Sequence, residues 1–142
     1  MALIVVKAML IVRSGEKLLF SRGYDSEKKQ AFLRPLGGHV EFGETGAKTI
    51  RREMREELGC GVKKVKFLSV IENLFVYNGK KGHEIILVYE GKLADKSLYK
   101  KDSFTFLEGN REVAAVWFSK ENVAKEGIPI FPVFDYFRKF YD

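Results

Sequence analysis

Apolar and β-branched residues dominate positions 3 to 12 and 17 to 22, and Ser14-Gly15 separates the two runs. The pattern predicts a strand, a tight turn and a second strand, joined as a hairpin. Gly23 to Gln30 is polar and reads as a loop, after which Ala31 to Val40 holds short extended pieces broken by Pro35 and Gly37-Gly38. From Thr45 to Leu58 the period changes. Ala47, Ile50, Met54 and Leu58 recur at three and four residues and Gly59 follows as a stop, which predicts a helix. Lys66 to Tyr77 and His83 to Leu93 are rich in Val, Ile, Phe and Tyr around Asn78-Gly79, the pattern of two long strands and a turn. Val113 to Phe118 reads as another strand. At the C-terminal end Pro132 suits a first turn and Val133, Phe134, Phe137 and Phe140 share one face, predicting a second helix.

Strands, a helix, strands and a helix in that order predict an α/β (α+β) fold with a mixed sheet packed between helices. A parallel doubly wound sheet would need more helical crossovers. With 142 residues, 46% of them apolar, and no repeat or Pro/Ser-rich linker, residues 1–142 read as a single domain. The opening Met1 to Val12 has no basic start and carries Lys7 in its middle, so it reads as a buried strand and not as a signal peptide. No uninterrupted apolar run reaches the roughly 18 residues needed to span a membrane, so no membrane partner is expected. A lone cysteine, Cys60, forms no intramolecular disulfide and agrees with a cytoplasmic, reducing environment.

The net charge of +6, from 25 basic and 19 acidic residues, is concentrated at Lys63, Lys64 and Lys66, at Lys80 and Lys81, and at Lys96, Lys100 and Lys101. Such clusters draw in polyanions, but they serve equally to solvate a surface. The sequence has no nucleic-acid reading module and no interleaving of aromatic and basic residues, which argues against nucleic acid as the main partner.

The chemistry concentrates on the Thr45–Leu58 helix. At about 100° per residue, with Arg52 at zero, Glu56 falls near 40°, Glu53 near 100° and Glu57 near 140°, while the apolar residues cluster at about 160–240°. One flank therefore packs while its neighbour gathers three acids. Like charges three or four residues apart repel by roughly 0.2–0.5 kcal/mol per pair, so the acids call for a counterion. Arg51, Arg52 and Arg55 supply one on a plain reading of a solvated helix. The preceding Gly37-Gly38-His39-Val40-Glu41-Phe42-Gly43-Glu44 supports another: its glycines permit a tight path whose carbonyls face a bound ion. These hard oxygen donors suit Mg²⁺ or Mn²⁺, whereas zinc would favour His and Cys, of which the chain has only two and one.

Gly38, Glu44 and then Arg52-Glu53-Met54-Arg55-Glu56-Glu57-Leu58-Gly59-Cys60 resemble the signature of the Nudix hydrolases, MutT-like nucleotide pyrophosphohydrolases with an α/β/α sandwich fold. All seven fixed positions match, and Cys60 stands where Ile, Leu or Val is usual. The resemblance implies Mg²⁺-dependent hydrolysis of a nucleoside diphosphate linked to another moiety, with Mn²⁺ as a substitute. It assigns Glu53, Glu56 and Glu57 and the Gly38 carbonyl to the metal, and pairs Arg52 with Glu44 to fix the loop against the helix. The general base is either Glu53 or a loop acid outside the signature, with Glu112 the first choice and Glu108 the second.

The expected substrate is a nucleotide-type small molecule. Arg34 and Arg22 are candidates for its phosphates, and Phe75, Tyr77 or Phe32 for stacking on a base, although ion pairing and core packing explain the same residues. Tyr77 lies 17 residues after Cys60, where a Tyr resembles the pattern of dinucleoside polyphosphate hydrolases. The Pro that marks many ADP-ribose hydrolases is missing from that region. Trp117 reads as core and His39 as a turn residue. Two other readings stay open: a Nudix-like nucleotide sensor with little catalysis, and an RNA- or cap-binding hydrolase. An exposed edge strand or the Phe-rich C-terminal segment offers a surface for a homodimer.

Overall fold

The computed structural model describes residues 2–138. Strands β1 (Val5–Ile11), β2 (Arg13–Ser14), β3 (Lys17–Asp25), β4 (Gln30–Arg34) and β5 (Leu36–His39) precede helix α1 (Gly46–Leu58). Then come β6 (Val62–Tyr77), β7 (Lys80–Leu93), a 3-10 turn (Lys96–Lys100), β8 (Ser103–Glu108), β9 (Arg111–Phe118), α2 (Lys120–Glu126) and α3 (Asp135–Arg138). Four strands form a mixed sheet in the order β5-β1-β7-β6, in which β1 and β7 run parallel. A second, antiparallel sheet has the order β2-β3-β9-β8, with β4 also paired to β3.

The mixed sheet is apolar on both faces, which is what a layer between helices requires. Ala8 and Leu10 of β1 join Ile50 and Met54 of α1 in one core cluster, while Met9 and Ile11 join Val123 of α2 and Phe137 of α3 in a second. The same alternation runs along β3, where Leu19 belongs to the first cluster and Leu18 and Phe20 to the second. No helix of the described residues is long and apolar enough to cross a membrane.

Several elements depart from the sequence pattern. The turn at Ser14-Gly15 forms, with Gly15 at φ 60°, but only β2 pairs with β3. β1 enters the other sheet beside β5 and β7, because an apolar run on both faces suits its centre. The polar stretch from Gly23 is not a loop throughout. β3 runs on to Asp25 and pairs with β4, leaving only residues 26–29 as the turn, since a ladder bonds backbone groups whatever the side chains. Pro132 precedes the last described helix, which starts at Asp135; Phe140 lies outside the described residues. β8 and α2 were not legible as periodic runs. α2 is closed by a reciprocal cap in which Asn122 N–H donates to Ser119 Oγ (3.2 Å) and Ser119 N–H donates to Asn122 Oδ1 (2.8 Å).

Candidate active site

α1 begins at Thr45, whose Oγ1 accepts from the Lys48 N–H, and ends at Gly59 in the left-handed conformation at φ 68°. Ile50 and Met54 are fully buried, so the helix cannot rotate without opening the core. That anchoring turns the acid flank toward β5 and β8, both of which the helix touches.

Arg52 is the hub. Its Nε donates to Glu44 Oε2 at 2.7 Å and its Nη2 to Glu44 Oε1 at 2.9 Å, the bidentate pairing expected of these two residues. Nη2 also reaches the His39 carbonyl at 3.0 Å, and Nη1 reaches Glu53 Oε1 at 2.8 Å. Glu44 accepts in addition from the Glu41 N–H and from Thr49 Oγ1. Hydrogen bonding, chiefly from Arg52, holds the Glu44 carboxyl down to about 2. One guanidinium thus ties the loop, the end of β5 and the helix together.

Gly38 owes its identity to Glu53. A Cβ at position 38 would stand 2.6 Å and 2.7 Å from the two Glu53 carboxylate oxygens, so any other residue there would push the Glu53 carboxylate aside. The carbonyl of Gly38 is placed less openly than expected. Val40 N–H donates to Val6 O and Gly38 is in register with Ala8, and strand alternation then turns the main-chain groups of Gly38 toward β1.

Glu57 is the most perturbed acid of the site. Burial first, then a hydrogen bond with Glu53 and the charges of Glu53 and Glu108, push its carboxyl up to about 9, while Arg34 acts in the opposite sense. Its Oε1 is buried and has no hydrogen-bond partner. Glu56 differs, with a side chain 59% exposed and only a 3.4 Å contact to Arg52 Nη1. Among the described residues no three acidic, His or Cys side chains are yet drawn into one ligand set. The residues nevertheless fit a hard divalent cation. An orphaned buried carboxylate oxygen, a second carboxylate beside it and a third one helical turn away on the solvent side form an all-oxygen donor set.

Position along the second sheet sorts the remaining candidates. Arg34 is directly across from Ser21, on the α1 side, and lies 3.7 Å from Glu108. Glu108 shares the face of Phe106, which packs in the α1-side cluster, and Arg111 donates to it at 2.9 Å. Glu112 sits next to Val113 of that cluster and so faces the opposite way. The structure therefore brings the second-choice acid, Glu108, to Glu57 and turns the first choice away. Arg22 also lies on the far face, donating to Glu126 Oε1 at 3.1 Å and lying over the Phe118 ring.

The aromatic candidates are partly committed to packing. Phe75 covers Gly82. Tyr77 donates from its hydroxyl to the Tyr24 carbonyl at 3.2 Å and meets the buried Phe32 ring edge-on at 5.8 Å. Trp117 is core, as expected, with its Nε1 donating to the Leu98 carbonyl. A separate hollow of about 510 Å³, lined by Ser14, Tyr99, Lys101 and Glu121 among others, contains none of the α1 acids. The sequence pattern does not single out Thr49, which supports Glu44, or Lys7, Asn73 and Glu84, which form a polar group around the buried Glu84 on the mixed sheet. An Asn or a Glu inside an apolar strand was the one signal that could have marked the latter.

An acid-flanked helix packed on a mixed sheet, with one of its acids lying over a strand glycine, defines a class of phosphoanhydride hydrolases. The NUDIX domain matches residues 3–136, and the chain belongs to the NUDIX family of hydrolases acting on pyrophosphate bonds, which generally need divalent metal ions. Among solved structures it is similar to a NUDIX hydrolase from Nitrosomonas europaea, with a TM-score of 0.65 and 17% identity over 98% of this chain and 88% of that one. It is also similar to a MutT NUDIX hydrolase from Burkholderia pseudomallei, with a TM-score of 0.62 and 21% identity over 97% and 95% of the two chains. A MutT protein from Bacillus halodurans matches at a TM-score of 0.60 and 18% identity, over 89% and 74%.

Proposed function

We propose that this protein hydrolyses a nucleoside diphosphate linked to another moiety, with Mg²⁺ as the working metal and Mn²⁺ as a substitute. The observation that carries the reading is Glu57: a partly buried carboxylate with one buried, unpartnered oxygen, beside Glu53 and under the charge of Glu108, is a costly arrangement without a cation. Glu53, Glu56 and Glu57 would hold the metal, which when bound offsets the charge of the diphosphate and acidifies water. Gly38 contributes the space that Glu53 occupies.

Arg34, on the same face as Glu108, would grip the phosphate oxygens, a bidentate task for which a guanidinium is suited. As it turns to the substrate it loosens its contact with Glu108, which stays held by Arg111 through Oε1 and takes a proton from the attacking water on its other carboxylate oxygen. The water oxygen bonds to phosphorus as the bridging P–O bond breaks, and the leaving phosphate carries away the electron pair. Arg52 keeps Glu53 and the loop in place throughout, through Glu44.

The test is a screen of nucleoside triphosphates, ADP-ribose, nucleotide sugars and dinucleoside polyphosphates with Mg²⁺, with products identified by mass, for the wild type and Glu57→Gln. Metal-dependent cleavage at the anhydride is expected from the wild type, and nearly none from a Glu57→Gln protein that keeps its circular dichroism. Undiminished turnover in that variant, or hydrolysis indifferent to chelation, would remove the role given to Glu57.

A further inference from the structure

The face of the mixed sheet turned away from α1 holds a charged group in an otherwise apolar layer. Met9, Ile11, Ile86 and Val88 of that face lie in the second core cluster, but the same two strands also carry Lys7 and Glu84. Lys7 Nζ and Glu84 Oε2 are 2.6 Å apart, and Asn73 Nδ2, from the register partner of Glu84 on β6, donates to Oε1 at 3.3 Å. Glu84 is only 7% exposed. An ion pair this desolvated recovers its cost only with close geometry, and apolar residues of similar size would hold the sheet equally well. Stability alone does not account for it.

Register places the group on the reverse of the strands that support the catalytic helix. Lys7 is across from His39, and the next residue, Ala8, which points to the opposite face, is across from Gly38, over which the Glu53 carboxylate lies. The two sheets meet at both ends of the strip. Ile71 and Ile86 share a core cluster with Phe20 and Leu33 at one end, and Tyr77 meets Phe32 and the Tyr24 carbonyl at the other. Asn73 and Phe75 lie between them on the same face of β6 as Ile71 and Tyr77. On the second sheet, Arg34 stands two residues from Phe32 on one face of β4. A substrate held by its phosphates at Arg34 would extend past Phe32 and Tyr77 toward this strip.

We propose that Lys7, Glu84 and Asn73 read the hydrogen-bonding edge of the substrate's nucleobase, and that this edge is guanine's; the inference rests on the pyrophosphohydrolase reading above. A carboxylate only accepts and an ammonium only donates. Each Glu84 oxygen keeps a lone pair beyond its present contact, so the group presents two neighbouring acceptors beside a donor. Guanine's Watson–Crick edge is the complement, with N1–H and N2–H for Glu84 and O6 for Lys7. Adenine, cytosine and uracil do not offer a carboxylate two adjacent ring-edge donors. Asn73 is a positioning residue that keeps Glu84 aimed.

The test titrates metal-free protein in EDTA with GMP, AMP, CMP and UMP by calorimetry, for the wild type, Glu84→Gln and the apolar pair Lys7→Met with Glu84→Leu. GMP is expected to bind roughly tenfold or more tightly than the others, as for one bidentate base contact. Glu84→Gln is expected to bring the four within about threefold of one another, and in turnover its loss falls on KM for guanine nucleotides. The apolar pair, which leaves no buried charge, keeps the measurement possible if Glu84→Gln unfolds, and is expected to bind all four alike. Equal binding in the wild type, or a guanine preference that survives either variant, overturns the proposal. A wild type that prefers GMP but cleaves no nucleotide with Mg²⁺ would sink the pyrophosphohydrolase reading and leave base recognition standing.

Discussion

The carboxylate of Glu53 fills the space in which residue 38 would carry a side chain, while its Oε1 accepts from Arg52 Nη1 at 2.8 Å. Gly38→Ala therefore forces Glu53 off this position, because β5 is fixed by its pairing with β1. A displacement of about an ångström at a catalytic group costs roughly a hundredfold in rate. We expect Gly38→Ala to lose turnover on that scale with a nearly unchanged circular dichroism spectrum; full activity would show that Glu53 needs no fixed place.

Glu44 carries the acid-sensitive link between loop and helix. Its folded carboxyl, held at about 2 mainly by Arg52, lies below the unfolded value of 4.5. A depressed pKa adds stability that is present above the unfolded value and is lost as pH falls toward the folded one. Unfolding midpoints of the wild type should thus drop between about pH 4.5 and 2, and Glu44→Gln should flatten that limb. An identical acid limb in both proteins would argue that the pairing adds nothing.

Glu57 has the opposite sign. Its folded carboxyl, raised to about 9 first by burial and then by Glu53 and Glu108, favours the protonated form in metal-free protein. That contribution is complete below the unfolded value near 4.5 and is lost as pH rises toward 9, so metal-free protein should lose stability across this window. Glu57→Gln should lose less. Mg²⁺ added near neutral pH should release a proton, since the ligand must ionise to bind. Calorimetry in buffers of different ionisation enthalpy measures that release, and its absence would place the metal away from Glu57.

Arg34 and Arg22 separate by face. Arg34 looks toward Glu57 and Glu108, whereas Arg22 is tied to Glu126 and Phe118 on the other side. Arg34→Ala is expected to lower kcat/KM by tenfold or more, about the contribution of one charge-assisted contact. Arg22→Ala should leave turnover close to the wild type and soften only the α2 contact. Equal losses in the two variants would refute the assignment by face.

Much of the site was readable along the chain because its determinants are local. The 3.6-residue recurrence of Ile50 and Met54, the Thr45 cap and the Gly59 stop sit within one helix, and they fix which flank carries Glu53, Glu56 and Glu57. The pairing of Arg52 with Glu44, eight residues apart, follows from the family resemblance and not from the spacing. Strand pairing was less legible. An apolar run such as β1 announces burial on both faces but not its neighbours, and the polar end of β3 conceals a ladder that only β4 completes.

By itself the sequence determined the acid flank and the alternation of buried strands, since each depends on periodicity within a few residues. Only the tertiary structure decided that Glu108 and not Glu112 looks toward Glu57, and that Lys7, Asn73 and Glu84 meet across three strands. Those outcomes depend on register and on the face a strand presents. A shift of one residue reverses every side chain, and the energy that sets the register comes from partners far away in the chain.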